Sequence, residues 1–184
     1  MGRRKKLLQG VSVLAGLPVA IVLSALVTEH RPADLEEVEV VAGPQGQPAL
    51  KAGEPFSLLS WNLQFCASRK HHFFYDGGEV VHVPREDVEE TVAAIKSVLS
   101  TQNVDIALLQ EIDRNNARTQ NIDQLRELVQ YRSAISWAAT PYHRSPYVPF
   151  PFSNPMGRVD MNLGILSRFV MSVSKRHQLP LLDE

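Results

Sequence analysis

The stretch Val104 to Asp113, read V-D-I-A-L-L-Q-E-I-D, constrains the fold of this chain more than any other. Its core, Ile106 to Leu109, is wholly apolar and too short for a buried helix. An amphipathic stretch and a break at Gln102-Asn103 precede it, a context that predicts a buried parallel strand, the second strand of a βαβ unit. The apolar run stops at Gln110-Glu111, so Glu111 falls where a parallel strand leaves its sheet. Open α/β folds place their chemistry at such carboxyl ends. By itself this stretch is also compatible with Glu111 being an ordinary solvated acid.

A second apolar stretch, Phe56 to Phe65 (F-S-L-L-S-W-N-L-Q-F), reads as another buried strand with Asn62 near its end. Between the two, Arg85 to Ser100 has Val88, Val92, Ile95 and Leu99 at helical spacing. Acids Glu86, Asp87, Glu89 and Glu90 crowd its first turns, where the helix dipole favours them. Two strands joined through one helix normally lie side by side. Their ends then meet, and Asn62 and Glu111 face one small volume. A carboxylate beside an amide oxygen suits a hard cation such as Mg²⁺, with waters and phosphate oxygens completing the shell.

These residues carry a resemblance. S-W-N-L-Q, then L-L-Q-E-I-D after one helix, then N-L-G-I-L-S-R are similar, in that order, to motifs of the endonuclease/exonuclease/phosphatase family of metal-dependent phosphoesterases. The likeness spans Pro55 to Leu181. It implies an α/β fold, the first half of a four-layer α/β sandwich of two packed sheets. It also implies Glu111 as the ligand of Mg²⁺, or of Mn²⁺ in its place, with Asn62 its neighbour in the metal and phosphate site. The substrate would be a phosphate ester, and a nuclease, a lipid phosphodiesterase and a sugar or inositol phosphatase all remain open. Arg114 and Arg118, just past Glu111, would meet the phosphodiester, unless Asp113 holds an arginine in a salt bridge; His143 is a further candidate for substrate contact.

The resemblance also exposes a gap. Family members carry, past the S-R strand, a histidine, then an Asp-x-Asn pair, then a terminal Asp-His pair. Beyond Ser167-Arg168 this sequence has no Asp-x-Asn, and it has no Asp-His anywhere. Asp160-Met161-Asn162 has the spacing but precedes that strand, and His177 lies too close to Arg168. Residues 49–184 are therefore expected to be the amino-terminal part of such a domain, inactive as given, with one apolar face of its sheet uncovered and prone to self-association. That face would include Leu58 or Leu59, Ile106 or Leu108, and Leu163 or Ile165. The competing expectation is a non-catalytic, membrane-anchored binding module that keeps half of the fold.

Ahead of this domain, Arg3, Arg4, Lys5 and Lys6 precede a run, Leu7 to Val27, without formal charge. At about 1.5 Å per residue the run can cross a hydrocarbon core of about 30 Å. Residues 1–27 thus read as a hydrophobic helix: a signal anchor touching the membrane through 7–27, a cleaved signal, or a buried helix; the first two place the domain outside the cytoplasm, anchored or secreted. Residues 28–48, rich in proline and acids, read as an extended linker.

Composition excludes little. Nineteen basic and twenty acidic residues leave a net charge of −1, which neither demands nor forbids a polyanion. Cys66 is the one cysteine and reads as a packing residue. Adjacent His71 and His72 lack a third ligand at zinc spacing, so Arg69 to His72 reads as a solvated loop pinned by Phe73, Phe74 and Tyr75, or as a loop beside the phosphate site. Asp123 to Tyr131 reads as a second helix, and Ala134 to Ala139 and Met161 to Ser167 as strands. Val170 to Val173 reads as the start of another, and Thr140 to Gly157 as a proline-rich loop whose aromatics and prolines either rigidify it or make a stacking surface for bases or lipid.

Overall fold

The structure, a computed structural model, describes residues 30–179. Every element below lies in the compact unit that begins at Pro32. The expected helix over residues 1–27 falls outside the described residues. Among those described, no helix is long and apolar enough to cross a membrane.

The fold is mixed α/β. Among the described residues the strands and α-helices follow one another as β1 (Leu35–Val38), β2 (Val40–Val41), β3 (Leu58–Asn62), α1 (Arg85–Gln102), β4 (Ile106–Asp113), α2 (Gln124–Leu128), β5 (Ser136–Val148), β6 (Gly157–Ser167) and β7 (Ser174–His177). Five strands form one sheet in the order β2-β5-β6-β4-β3, and β1 pairs with β7 in a separate two-stranded sheet. The β3–β4 pair is parallel, and the other pairs are antiparallel.

Helix α1 forms where the periodicity places it. Val88, Val92, Ile95 and Leu99 are its buried residues, and each contributes roughly 1.5–3 kcal/mol when fully removed from water. Asn103, in the left-handed conformation at φ 48°, ends it. The helix covers one face of the sheet, where Ala107, Leu109, Ile112 and Leu166 join Phe65, Phe73, Leu125 and Leu128 in the core. Asp123 starts α2 by accepting a hydrogen bond from Arg126 N. The helix then tightens into a 3₁₀ turn over Val129–Tyr131.

Several expectations need correction. Residues 35–41 are not a tether. Val40–Val41 pairs with β5, and Leu35–Val38 with β7, so the ladder hydrogen bonds come from partners distant in sequence. Phe56 to Phe65 is shorter as a strand, Leu58–Asn62, and sits at the sheet edge rather than buried on both sides. The region Thr140 to Gly157 is mostly not loop: β5 and β6 run on as a long hairpin whose register shifts near Pro141 and again near Pro146. The strand foreseen at Val170 to Val173 begins instead at Ser174.

The sheet face opposite α1 is only partly covered. Leu58, Leu163 and Ile165 are 55%, 40% and 37% exposed. A cleft of about 320 Å³ lies between this face and the β1–β7 pair, lined by Leu108, Leu163 and Ile165 on one side and by Val38 and Ser174 to His177 on the other.

Candidate active site

Strand β4 alternates correctly up to Leu109 and then breaks phase. Leu109 pairs with Gly164 and Ile112 with Asn162, so Gln110 and Glu111 together oppose Leu163 in a β-bulge. Glu111 takes the left-handed conformation at φ 56°. For a residue with a Cβ this costs on the order of 1–3 kcal/mol. The bulge returns Ile112 to the helix-covered face, fully buried, and turns Glu111 out of it. Gly164 makes room: a Cβ there would lie 2.7 Å from Ile112 Cδ1.

Asn62 is in register with Gln110, and the ladder continues as Leu63 N donates to Gln110 O. The chain then turns sharply, with Gln64, Phe65 and Cys66 all at positive φ. Asn62 Oδ1 accepts from Gln64 N at 2.8 Å and holds this turn. Its Nδ2 donates to Glu111 Oε1 at 2.9 Å. The two strand ends therefore converge as the βαβ reading requires. The amide presents its NH₂ group to Glu111, however, while the oxygen foreseen as a ligand serves the backbone N–H.

Asn62 and Glu111 open onto a cavity of about 470 Å³ shared with Gln64, Phe65, Tyr75, Asp76, Arg118 and Met161. Tyr75 has its phenol pushed up to about 12, first by burial, with Asp76, Asp113 and Glu111 adding to the effect and Arg118 opposing it. It stays protonated at neutral pH. Tyr142 is also pushed up, by burial and then by the charge of Glu111.

The remaining candidates separate. Arg118 lines the cavity, but its guanidinium is committed to structure. Nε and Nη2 donate to Asp113 at 2.9 and 2.8 Å, Nη1 reaches Tyr75 Oη at 3.4 Å, and Cζ lies 3.7 Å from the Phe65 ring centre. Asp113 does hold an arginine. Thr119 Oγ1 donates to the same carboxylate, and Gln124 bridges Asp113 N to Phe65 O. This buried polar set fixes the back wall of the cavity. Arg114 is not at the cavity: it forks onto Asp123 at 3.1–3.3 Å. His143 is exposed on β5 opposite Met161 and does not line the cavity.

The loop at Arg69 to His72 turns toward α1. His71 Nε2 meets Asp87 at 2.8 Å, and Lys70 Nζ meets Glu90 at 2.9 Å. Cys66 is fully buried, and burial pushes its thiol up, as suits a packing residue. Asp160 is neutralised by Arg144 and Arg158 and accepts from Asn162 Nδ2. Sequence reasoning missed Asp76 and Tyr75 as cavity residues. By composition Asp76-Gly77-Gly78 reads only as a turn, and nothing local shows that it shares a cavity with Glu111.

The donor set fits a hard cation held loosely. Glu111 supplies one carboxylate, fixed by a neutral amide, and Asp76 a second acid on the same cavity. Among the described residues, no group of three or more His, Cys, Asp and Glu is arranged to hold a metal ion. Mg²⁺ tolerates so sparse a set because it keeps much of its water and takes substrate phosphate oxygens.

An acid and an amide thus meet at adjoining strand ends over an open polar cavity. Residues 59–183 match the family model described as Endonuclease/Exonuclease/phosphatase family, and the chain belongs to that family. Its members hydrolyse phosphate esters such as nucleic acids and are generally dependent on a divalent metal. No curated protein and no solved structure matches the chain.

Proposed function

We propose that the cavity over Glu111 is the cation and phosphate end of a phosphoesterase centre taking Mg²⁺ or Mn²⁺, in a sheet that forms one half of the family's sandwich. The Asn62–Glu111 pair, lifted by the bulge onto the cavity, carries this reading. Glu111 would hold the ion. Asn62 immobilises one carboxylate oxygen and leaves the other for a ligand's role. A bound divalent ion polarises a phosphoryl oxygen and offsets its charge. Tyr75 keeps its proton for a phosphate oxygen, since its own oxygen already accepts from Arg118. The basic cluster and uncharged run before the domain support an exported or membrane-anchored setting.

Calorimetric titration with Mn²⁺ tests the reading. Glu111→Gln is expected to weaken binding at least about tenfold, because it removes the charged ligand. Equal affinity in the variant would sink the proposal. No histidine lines the cavity among the described residues, so hydrolysis of a generic phosphodiester by this chain is expected to stay near background.

A further inference from the structure

The β5–β6 hairpin ends in a segment built unlike the rest of the surface. Residues 145–157 carry no charge, and Arg144 and Arg158 bracket them. Tyr147, Phe150 and Phe152 are 58%, 52% and 75% exposed. Single exposed aromatics are ordinary on a protein surface, whereas several on one uncharged tip form a patch that calls for a partner. The tip is held in place. Met156 N donates to Phe150 O, Asn154 N donates to Pro151 O, and His82 Nε2 meets Pro155 O at 3.1 Å.

We infer that this tip is a lipid-docking surface that seats in the headgroup and acyl boundary of a bilayer. The order of polarity along the hairpin is the argument. The Phe150 and Phe152 rings occupy the end, beyond the Val148–Gly157 pair; Arg158 lies beside that pair, and Arg144 four residues, about 13 Å of strand rise, behind Val148. Both are about half exposed and share the single buried acid Asp160, so the collar keeps a net positive charge. Apolar rings at depth beneath a basic collar match the layering of a bilayer, where lipid phosphates lie outside the acyl chains. A single-stranded nucleic acid would need cations interleaved with the rings to meet its backbone phosphates. Residues 145–157 have none.

The tip is also linked to the cavity. The Phe152 and Phe150 rings lie 5.8 Å apart, Phe150 and Phe74 5.6 Å, and Phe74 and Tyr75 5.1 Å. Tyr75 is a cavity wall, so a bilayer docked on the hairpin lies beside Glu111. The substrate class then becomes a phosphate ester carried in a lipid headgroup. Docking stands on the hairpin alone, and the headgroup substrate rests on the function proposed above.

The test places an environment-sensitive fluorophore on Ser153→Cys in the full chain, Cys66 being buried. Ser100→Cys, exposed on α1, is the control. Vesicles of phosphatidylcholine with a minor fraction of phosphatidylserine, carrying quenchers on their acyl chains, are expected to quench the probe at 153 and not at 100. The pair Phe150→Ser and Phe152→Ser, with an unchanged melting midpoint, is expected to weaken that response about tenfold or more. Glu111→Gln is expected to retain it while losing Mn²⁺, which separates docking from the reading of the centre. Absent quenching at 153, equal quenching at both positions, or a response to a single-stranded oligonucleotide in place of vesicles would overturn the inference.

Discussion

Glu111 and Asp113 stand two residues apart at the carboxyl end of β4, and the fold treats them in opposite ways. Asp113 is fully buried and receives Arg118 and Thr119. Burial pushes its carboxyl up against the pull of that guanidinium. Glu111 stands on the open cavity with one hydrogen bond from a neutral amide. The bulge between Leu109 and Ile112 sends one acid to the cavity and the other to the interior. An acid whose charge is satisfied within the protein is scaffold, and one left open to the cavity is the one proposed to take a cation.

The sharpest way to break this contrast is to remove each acid in turn. Asp113→Ala leaves the Arg118 guanidinium buried and uncompensated, and is expected to cost about 3–5 kcal/mol in urea denaturation. Glu111→Ala is expected to stay within about 0.5 kcal/mol of the parent. Equal losses would mean that Glu111 too is a structural acid. Next in size is Gly164→Ala, whose methyl group meets Ile112 Cδ1. A cost of about 1–3 kcal/mol is expected, with a matching fall in Mn²⁺ affinity as the bulge shifts. A loss of stability with unchanged affinity would show that Ile112 does not lock the bulge.

A third acid sharpens the contrast at the other end of the strand. Asp105 accepts from Ser57 N and Oγ and from Arg168 Nη1 at 2.7–2.9 Å, tying the start of β4 to the strands on either side. The Ser57 backbone N–H, then its hydroxyl and Arg168, hold this carboxyl below its usual range. A lowered folded value favours the native state above about pH 4, and that advantage fades as pH falls through the folded value. The stability gap between the parent and Asp105→Asn is therefore expected to narrow progressively below about pH 4. A gap independent of pH would mean that these contacts do not depend on the charge.

What was legible in the sequence followed from local pattern. Helix α1 announced its buried stripe and β4 its apolar run, and their order along the chain was enough to bring Asn62 to Glu111. What was hidden depended on distant partners. Leu35–Val38 becomes a strand only because β7 returns beside it. The β5–β6 hairpin hid behind its prolines. Strand β2 covers β5 only at Trp137 and Ala138, so Pro141 and Pro146 lie where β5 is paired on one side alone, the setting in which a strand tolerates proline. Arg118 looked as available as Arg114, because spacing shows neither the burial of Asp113 nor the Phe65 ring beneath the guanidinium. The bulge left no trace either, since glutamate is not a residue that signals positive φ.

Under the proposed function, that last mismatch sets stability against ion affinity at one position. Glycine adopts the conformation of Glu111 without strain, so Glu111→Gly is expected to hold or raise the melting midpoint while abolishing Mn²⁺ binding. A library selected for heat resistance alone would drift toward glycine there and lose its ion. One selected for ion retention would keep the strained glutamate and recover robustness elsewhere.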